Sequence, residues 1–171
     1  MRMMLLVSAS LLMAGGLRAD DATPTEKNPA LDNDYLVKAH VANNAVIQYS
    51  SAAASRVKSE KVKAFAEQLV KDHKECEDKI AKAMKDRKIA SVAGTEKELR
   101  DKIAELKKLE GNEVDKTFLT NIIAGHEKVL SMCKTQSEKG KDQECCAHAK
   151  EAIAGLQKHL DEAKELLKSV N

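Results

Sequence analysis

From residue 34 onward, small and apolar residues recur every three or four positions, the period of helices that bury one stripe. Asp34 can cap a first helix to about Lys58, with Leu36, Ala39, Asn43, Val46, Ser50, Ala53 and Val57 on its stripe. Ser59 can cap a second, to about Arg87, with Val62, Phe65, Leu69, His73, Cys76, Ile80 and Met84 inward. After a break ending in Gly94-Thr95, Leu99, Ile103, Leu106 and Leu109 mark a shorter helical segment closed by Gly111-Asn112. A third long helix carries Leu119, Ile122, His126, Val129 and Cys133, with Gly140 in the loop behind it. Asp142 caps the last, which turns Cys145, Ala149, Ala152, Leu156, His159, Ala163 and Leu166 inward. Small inward residues let helices approach closely, so the pattern predicts an all-α four-helix bundle with a short extra helix between helices 2 and 3. No fixed-period repeat shows along the chain, which argues against a solenoid.

Composition sharpens this picture. Both prolines, Pro24 and Pro29, precede residue 30, so nothing beyond them interrupts long helices. Aromatics are 2% of the 171 residues, too few for base-stacking platforms. The first residues read as an export signal: Arg2, an apolar run from Met3 to Met13, then small residues leading to Ala19. That run is well short of the roughly 20 residues a membrane-spanning helix needs. Cleavage after Ala19 gives a signal peptide at 1–19, a polar linker at 20–32 and the bundle domain at 33–171. It also removes Arg2 and Arg18, lowering Lys+Arg from 29 to 27, equal to the 27 Asp+Glu. A neutral mature domain with interleaved charges has no counterion-release drive onto nucleic acid. The expected place is the periplasm or cell envelope, and a partner would be an envelope protein.

Three of the five histidines interrupt apolar stripes: His73, His126 and His159, each on a different helix. A buried imidazole needs an acceptor, a neighbour or a metal. Taken singly each reads as a core histidine satisfied by hydrogen bonds, but bundles also build metal sites from facing helices. A di-iron centre would want Glu-x-x-His pairs, whereas the residues three before these histidines are Val70, Ile123 and Leu156. Cys76 and Glu77 follow His73 by one turn, leaving a mixed His/Cys/Glu site for a transition metal such as zinc, copper or iron. Counting 1.5 Å per residue from the last loop puts His126 about 16 Å and His159 about 26 Å away, so they need not share a layer. His40 and His148 read as half-exposed surface residues.

Cys76, Cys133, Cys145 and Cys146 are an even set in an exported chain, which favours disulfides over metal ligation or free thiols. The same count sets Cys133 and Cys145 level, at about 6 and 5 Å from the loop. A bridge from Cys133 to Cys145 or Cys146 would add roughly 3 kcal/mol by loop entropy, leaving Cys76 for the remaining cysteine. No nucleophile elbow, phosphate-binding glycine loop or His-Glu-x-x-His occurs, and the Lys/Glu-rich runs read as solvated faces.

Asp34-Tyr35-Leu36-Val37-Lys38-Ala39 and the run Val62 to Val70-Lys71-Asp72-His73 resemble an exported bacterial domain-of-unknown-function family, DUF4142. Val114-Asp115 with Phe118 and His126 is similar to its Phe-Asp, Tyr and His pattern, and Leu156-Gln157-Lys158-His159-Leu160 to its closing Leu-x-x-His-Leu. The resemblance spans residues 33–167 and implies a secreted or periplasmic, ferritin-like bundle without an established activity, whose three histidines fall on His73, His126 and His159. Val46 stands where that family has a helix-one Glu, and Ala154 where it often has Pro. The leading expectation is therefore a non-enzymatic structural or interaction module of the envelope. The alternatives are a metal-binding bundle on the three histidines and, behind it, a peroxide-linked oxidoreductase.

Overall fold

In the computed structural model the described residues are 29–90 and 96–170. Five helices follow one another: α1 (Pro29–Ala54), α2 (Glu60–Asp86), α3 (Glu96–Leu106), α4 (Asn112–Lys139) and α5 (Gln143–Ser169). The four long helices and the short α3 are the all-α bundle that the periodicity predicts. The signal peptide and residues 20–28 of the linker lie outside the described residues.

Helix α1 starts at Pro29, five residues ahead of the Asp34 cap read from sequence. Proline is at home in a first turn, where its missing N–H has no intrahelical partner to lose. Asp32 then anchors that turn from inside: its carboxylate accepts from Gln136 Nε2 at 2.5 Å, Asp142 N at 3.1 Å and Lys141 N at 3.3 Å. At the other ends the expected caps form, Ser59 accepting from Val62 N and Asp142 from Cys145 N.

These contacts fix the topology. The start of α1 lies on the α4–α5 turn through Asp32, and the start of α4 lies on the α1–α2 turn, where Asp115 accepts from Lys58 N at 2.7 Å and Ser59 N at 2.9 Å. Arg87, closing α2, pairs with Asp142 at 2.7 Å and Glu144 at 3.1 Å at the start of α5. So α1 runs antiparallel to α4 and α2 antiparallel to α5, and the segment between α2 and α4 must traverse the bundle's length. One long crossover of this kind is the ferritin-like arrangement. Helix α3 rides in it, burying Leu106 completely, and Gly111 (φ 59°) makes the turn into α4 in a conformation open to glycine.

The two hairpins are copies in layout. Helices α1 and α4 begin 83 residues apart (29 and 112), as do α2 and α5 (60 and 143), whose last residues 86 and 169 share the offset. Asp32, Tyr35, Leu36, Ala39, Asn43, Ser50 and Ala53 are buried, and so are their counterparts Asp115, Phe118, Leu119, Ile122, His126, Cys133 and Gln136. This internal repeat is one of structure; too few positions carry the same residue for it to show in the sequence.

The core divides into two apolar clusters. One, at the α1–α2 turn, centres on Phe65, Leu69, Phe118 and Leu119; the other, toward the α4–α5 turn, on Leu36, Ile80, Met84 and Ala149. Asn43, His73, His126 and His159 are buried polar residues of neither cluster. No helix of the described residues is long and apolar enough to cross a membrane.

Candidate metal centre

Each of the three histidines comes from a different helix, α2, α4 and α5, yet their rings meet. His126 Nε2 lies 3.4 Å from His73 Nε2 and 3.3 Å from His159 Nδ1, and the three atoms all lie within 4.8 Å of one another. The axial offset that counting turns gives closes for two reasons. Helix α4 continues to Lys139, which lengthens the His126 side of the hairpin. In addition, Cβ bonds tilt toward a helix's own N-terminus. His126 therefore leans away from the last turn and His159 toward it, closing the remaining gap.

The outer nitrogen of each ring is held by a protein acceptor. His73 Nδ1 lies 2.6 Å from Asn43 Oδ1, His126 Nδ1 3.0 Å from the Ile122 carbonyl, and His159 Nε2 3.2 Å from Asp72 Oδ2. A carbonyl and a carboxylate only accept, so these nitrogens carry the protons. The inner nitrogens are then lone pairs, all three turned on one another. Burial pushes His73 down to about 4, helped by the charge of His159, and His126 down to about 3, helped by both neighbours. Both rings are neutral at neutral pH. A single added proton could sit in only one of the two close N···N contacts, leaving the other as lone pair against lone pair.

That is the electronic arrangement of a metal triad. Tetrahedral zinc with bonds of about 2.0–2.1 Å sets its ligand nitrogens about 3.3–3.4 Å apart. Outer N–H groups given to a carboxylate, a carbonyl and an amide are the usual means of fixing the tautomer of ligating histidines. Sequence reasoning found the three rings but missed Asn43, Asp72 and the Ile122 carbonyl. The polar Asn43 on an apolar stripe, and Asp72 beside His73, were the available signals.

The other candidates are drawn elsewhere. Cys76 and Glu77 are not part of the triad. Cys76 Sγ lies 3.3 Å from His148 Nε2, and Glu77 bonds the His40 imidazole. No disulfide joins Cys133 to Cys145 or Cys146, and all four cysteines are free thiols. Cys133 sits 3.9 Å from Tyr35 Oη, and the Cys146 thiol turns to the Gln136 carbonyl at 3.5 Å. Cys145 packs in the cluster near the α4–α5 turn, where burial pushes its thiol up to about 12. His148 is more engaged than a surface residue, with Tyr35 Oη 2.6 Å from its Nδ1.

Beside the triad is a cavity of about 350 Å³, lined by the three histidines and by Cys76, Cys133 and His148. Its remaining lining is largely apolar, including Ala39, Val46, Val129 and Leu156. Lys79 and Glu151, exposed residues of its lining, form a 2.6 Å ion pair between α2 and α5.

The chain's residues 18–166 match the family described as domain of unknown function (DUF4142), and the chain belongs to that family. No curated protein matches it. Two solved structures share the fold. A DUF305 protein from Streptomyces coelicolor is 13% identical with a TM-score of 0.73, over 82% of this chain and 92% of its own. A DUF305 fragment from Deinococcus radiodurans is 11% identical with a TM-score of 0.71, over 81% and 96%.

Proposed function

As a member of the DUF4142 family, this protein, we propose, binds a late first-row divalent cation on His73 Nε2, His126 Nε2 and His159 Nδ1. The observation that carries the proposal is the convergence of three lone pairs whose tautomers are fixed from outside by Asn43, Ile122 and Asp72. Neutral imidazoles suit zinc, copper, iron and nickel. Three protein ligands leave one position open, and the adjoining cavity is where a water or small ligand would complete the sphere. Asp72 stabilises positive charge at the centre through His159, and Asn43 holds the ring of His73.

The N-terminal sequence supports placing this activity outside the cytoplasm, in the periplasm or envelope. There the role proposed is binding of the cation. The purely structural module expected first from sequence has the same bundle without a bound ion, and one measurement separates the two. Full-length-derived mature protein, purified without chelators, is analysed for metal by mass spectrometry and titrated with cobalt(II). Near one equivalent of metal, with the intense visible bands of tetrahedral cobalt lost in His126→Ala, is the expected result. Metal far below stoichiometry and no visible bands would leave the structural module.

A further inference from the structure

Among the described residues, the cavity beside the triad reaches the surface on one side. Its exposed lining residues, Glu75, Lys79, Glu151, Gly155 and Lys158, all belong to α2 and α5, whereas those it takes from α1 and α4 are buried or half-buried. The cleft between α2 and α5 is thus its mouth, and the buried triad lies within. Gly155 marks that mouth. His148, Ala152, Gly155 and His159 follow one another along a single stripe of α5, and all four line the cavity. Glycine inside a helix weakens it, and no positive φ asks for one here. A Cβ at Gly155 would meet nothing within 4 Å, so its missing side chain leaves open the space between Ala152 and His159.

An apolar cavity of about 150 Å³ admits benzene. At about 350 Å³, walled by Ala39, Val46, Val129 and Leu156, this one holds a body of up to about a dozen heavy atoms. Charge sets the other requirement. A divalent cation on three neutral imidazoles, with the Asp72 carboxylate behind His159, keeps one net positive charge. Such a charge facing an apolar wall is costly unless an opposite charge meets it. The cavity does not supply one. Lys79 and Lys158 balance Glu75 and Glu151 at the rim, where Lys79 and Glu151 are paired at 2.6 Å. Burial raises the Cys76 thiol and pushes that of Cys133 up to about 11, so neither offers a thiolate. We infer that the cavity takes a small aliphatic monocarboxylate, its carboxylate on the open position of the triad's cation and its tail against the apolar wall. On binding, a cation–water bond breaks, a cation–oxygen bond to the carboxylate forms, and the water leaves through the mouth without electron transfer.

This ligand class rests on the triad holding a divalent cation, and the test reads the two separately. Cobalt(II)-loaded mature protein is titrated with acetate, butyrate, hexanoate and hexan-1-ol, and the visible bands are followed in wild type and Gly155→Leu. Expected is a band shift with each carboxylate, with affinity rising about fourfold per added methylene. Hexan-1-ol should leave the bands unchanged. Gly155→Leu should keep the cobalt bands and bring hexanoate back to the affinity of acetate. Bands insensitive to hexanoate overturn the inference and leave water or hydroxide in the open position. Equal affinity for acetate and hexanoate, a shift with hexan-1-ol, or hexanoate bound by Gly155→Leu as by wild type also overturns it. Each of these leaves the cation site standing, whereas a wild type without cobalt bands overturns both.

Discussion

Asp32 and Asp115, 83 residues apart, hold the same station in the two hairpins, each receiving the backbone N–H groups of the other hairpin's turn. Each is buried, with 2% and 1% of its surface exposed, and neither has a cationic partner among its hydrogen bonds. The turns are thereby pinned by charge-assisted hydrogen bonds rather than by a disulfide.

Removing one clamp should destabilise the fold without altering its compactness. Asp115→Ala strands the N–H groups of Lys58 and Ser59, at an expected cost of about 2–3 kcal/mol. Urea unfolding should show a lower midpoint with an unchanged slope. A midpoint equal to wild type would mean that water replaces the carboxylate freely.

Gly140 is tolerated for its lack of a side chain rather than for its backbone angles. A Cβ there would run into the Gln136 side chain and carbonyl, and would stand 2.8 Å from Cys146 Sγ. Gly140→Ala should therefore push Gln136 off Asp32 and destabilise by about 1–3 kcal/mol. Thermal melting of the variant checks this, and no change in melting temperature would count against the crowding.

The chelated protein should lose stability in mild acid. His73 and His126 fall from 6.5 to about 4 and about 3 on folding, so between those values the unfolded chain binds more protons. Their contribution is whole above pH 6.5 and declines as pH falls toward 4, at up to about 1.4 kcal/mol per pH unit for each ring. Urea midpoints at pH 7, 6 and 5 follow it, and a flat profile would show that the rings are not buried neutral. Adding a bound cation should steepen the acid loss, because protons then compete for the same lone pairs.

Asp72→Asn separates orientation from ligation. The amide can still accept from His159 Nε2 but no longer supplies negative charge, so cation affinity should drop roughly 10–100-fold while the apo melting temperature holds. Equal affinities would reduce Asp72 to a surface contact of His159.

His126→Leu should uncouple stability from binding. It removes an imidazole that is 1% exposed, together with both close lone-pair contacts, and fills the space with an apolar group. In the absence of metal the variant should be as stable as wild type or more so, and should bind no divalent cation at the triad. Strong destabilisation of the apo protein would instead make His126 a structural hydrogen-bonding residue.

The helices were legible from their stripes because most inward positions are apolar and their period is regular. The caps Ser59 and Asp142 were legible because an N-cap needs a side-chain acceptor three residues before a free N–H. The Asp32 turn was not, since its donors come from residues 136–142 and a polar stretch near a proline reads locally as linker. For the site, the identity of the three rings could be read and their meeting could not. That depended on where α4 ends and on which way each Cβ leans, matters of a few ångströms that no residue pattern records. Cys76 and Glu77 stand apart from the triad for the same reason: one turn from His73 along α2 also rotates them toward α1 and α5, where His40 and His148 take them.

The long crossover has a further bearing on how the molecule assembles. Each hairpin can form early from contacts near in sequence, but His73 belongs to the first and His126 and His159 to the second. Neither hairpin alone offers three ligands, so the chelate exists only once they have docked. A cation held there would act as a latch on that docking, slowing separation of the hairpins while leaving the formation of each untouched.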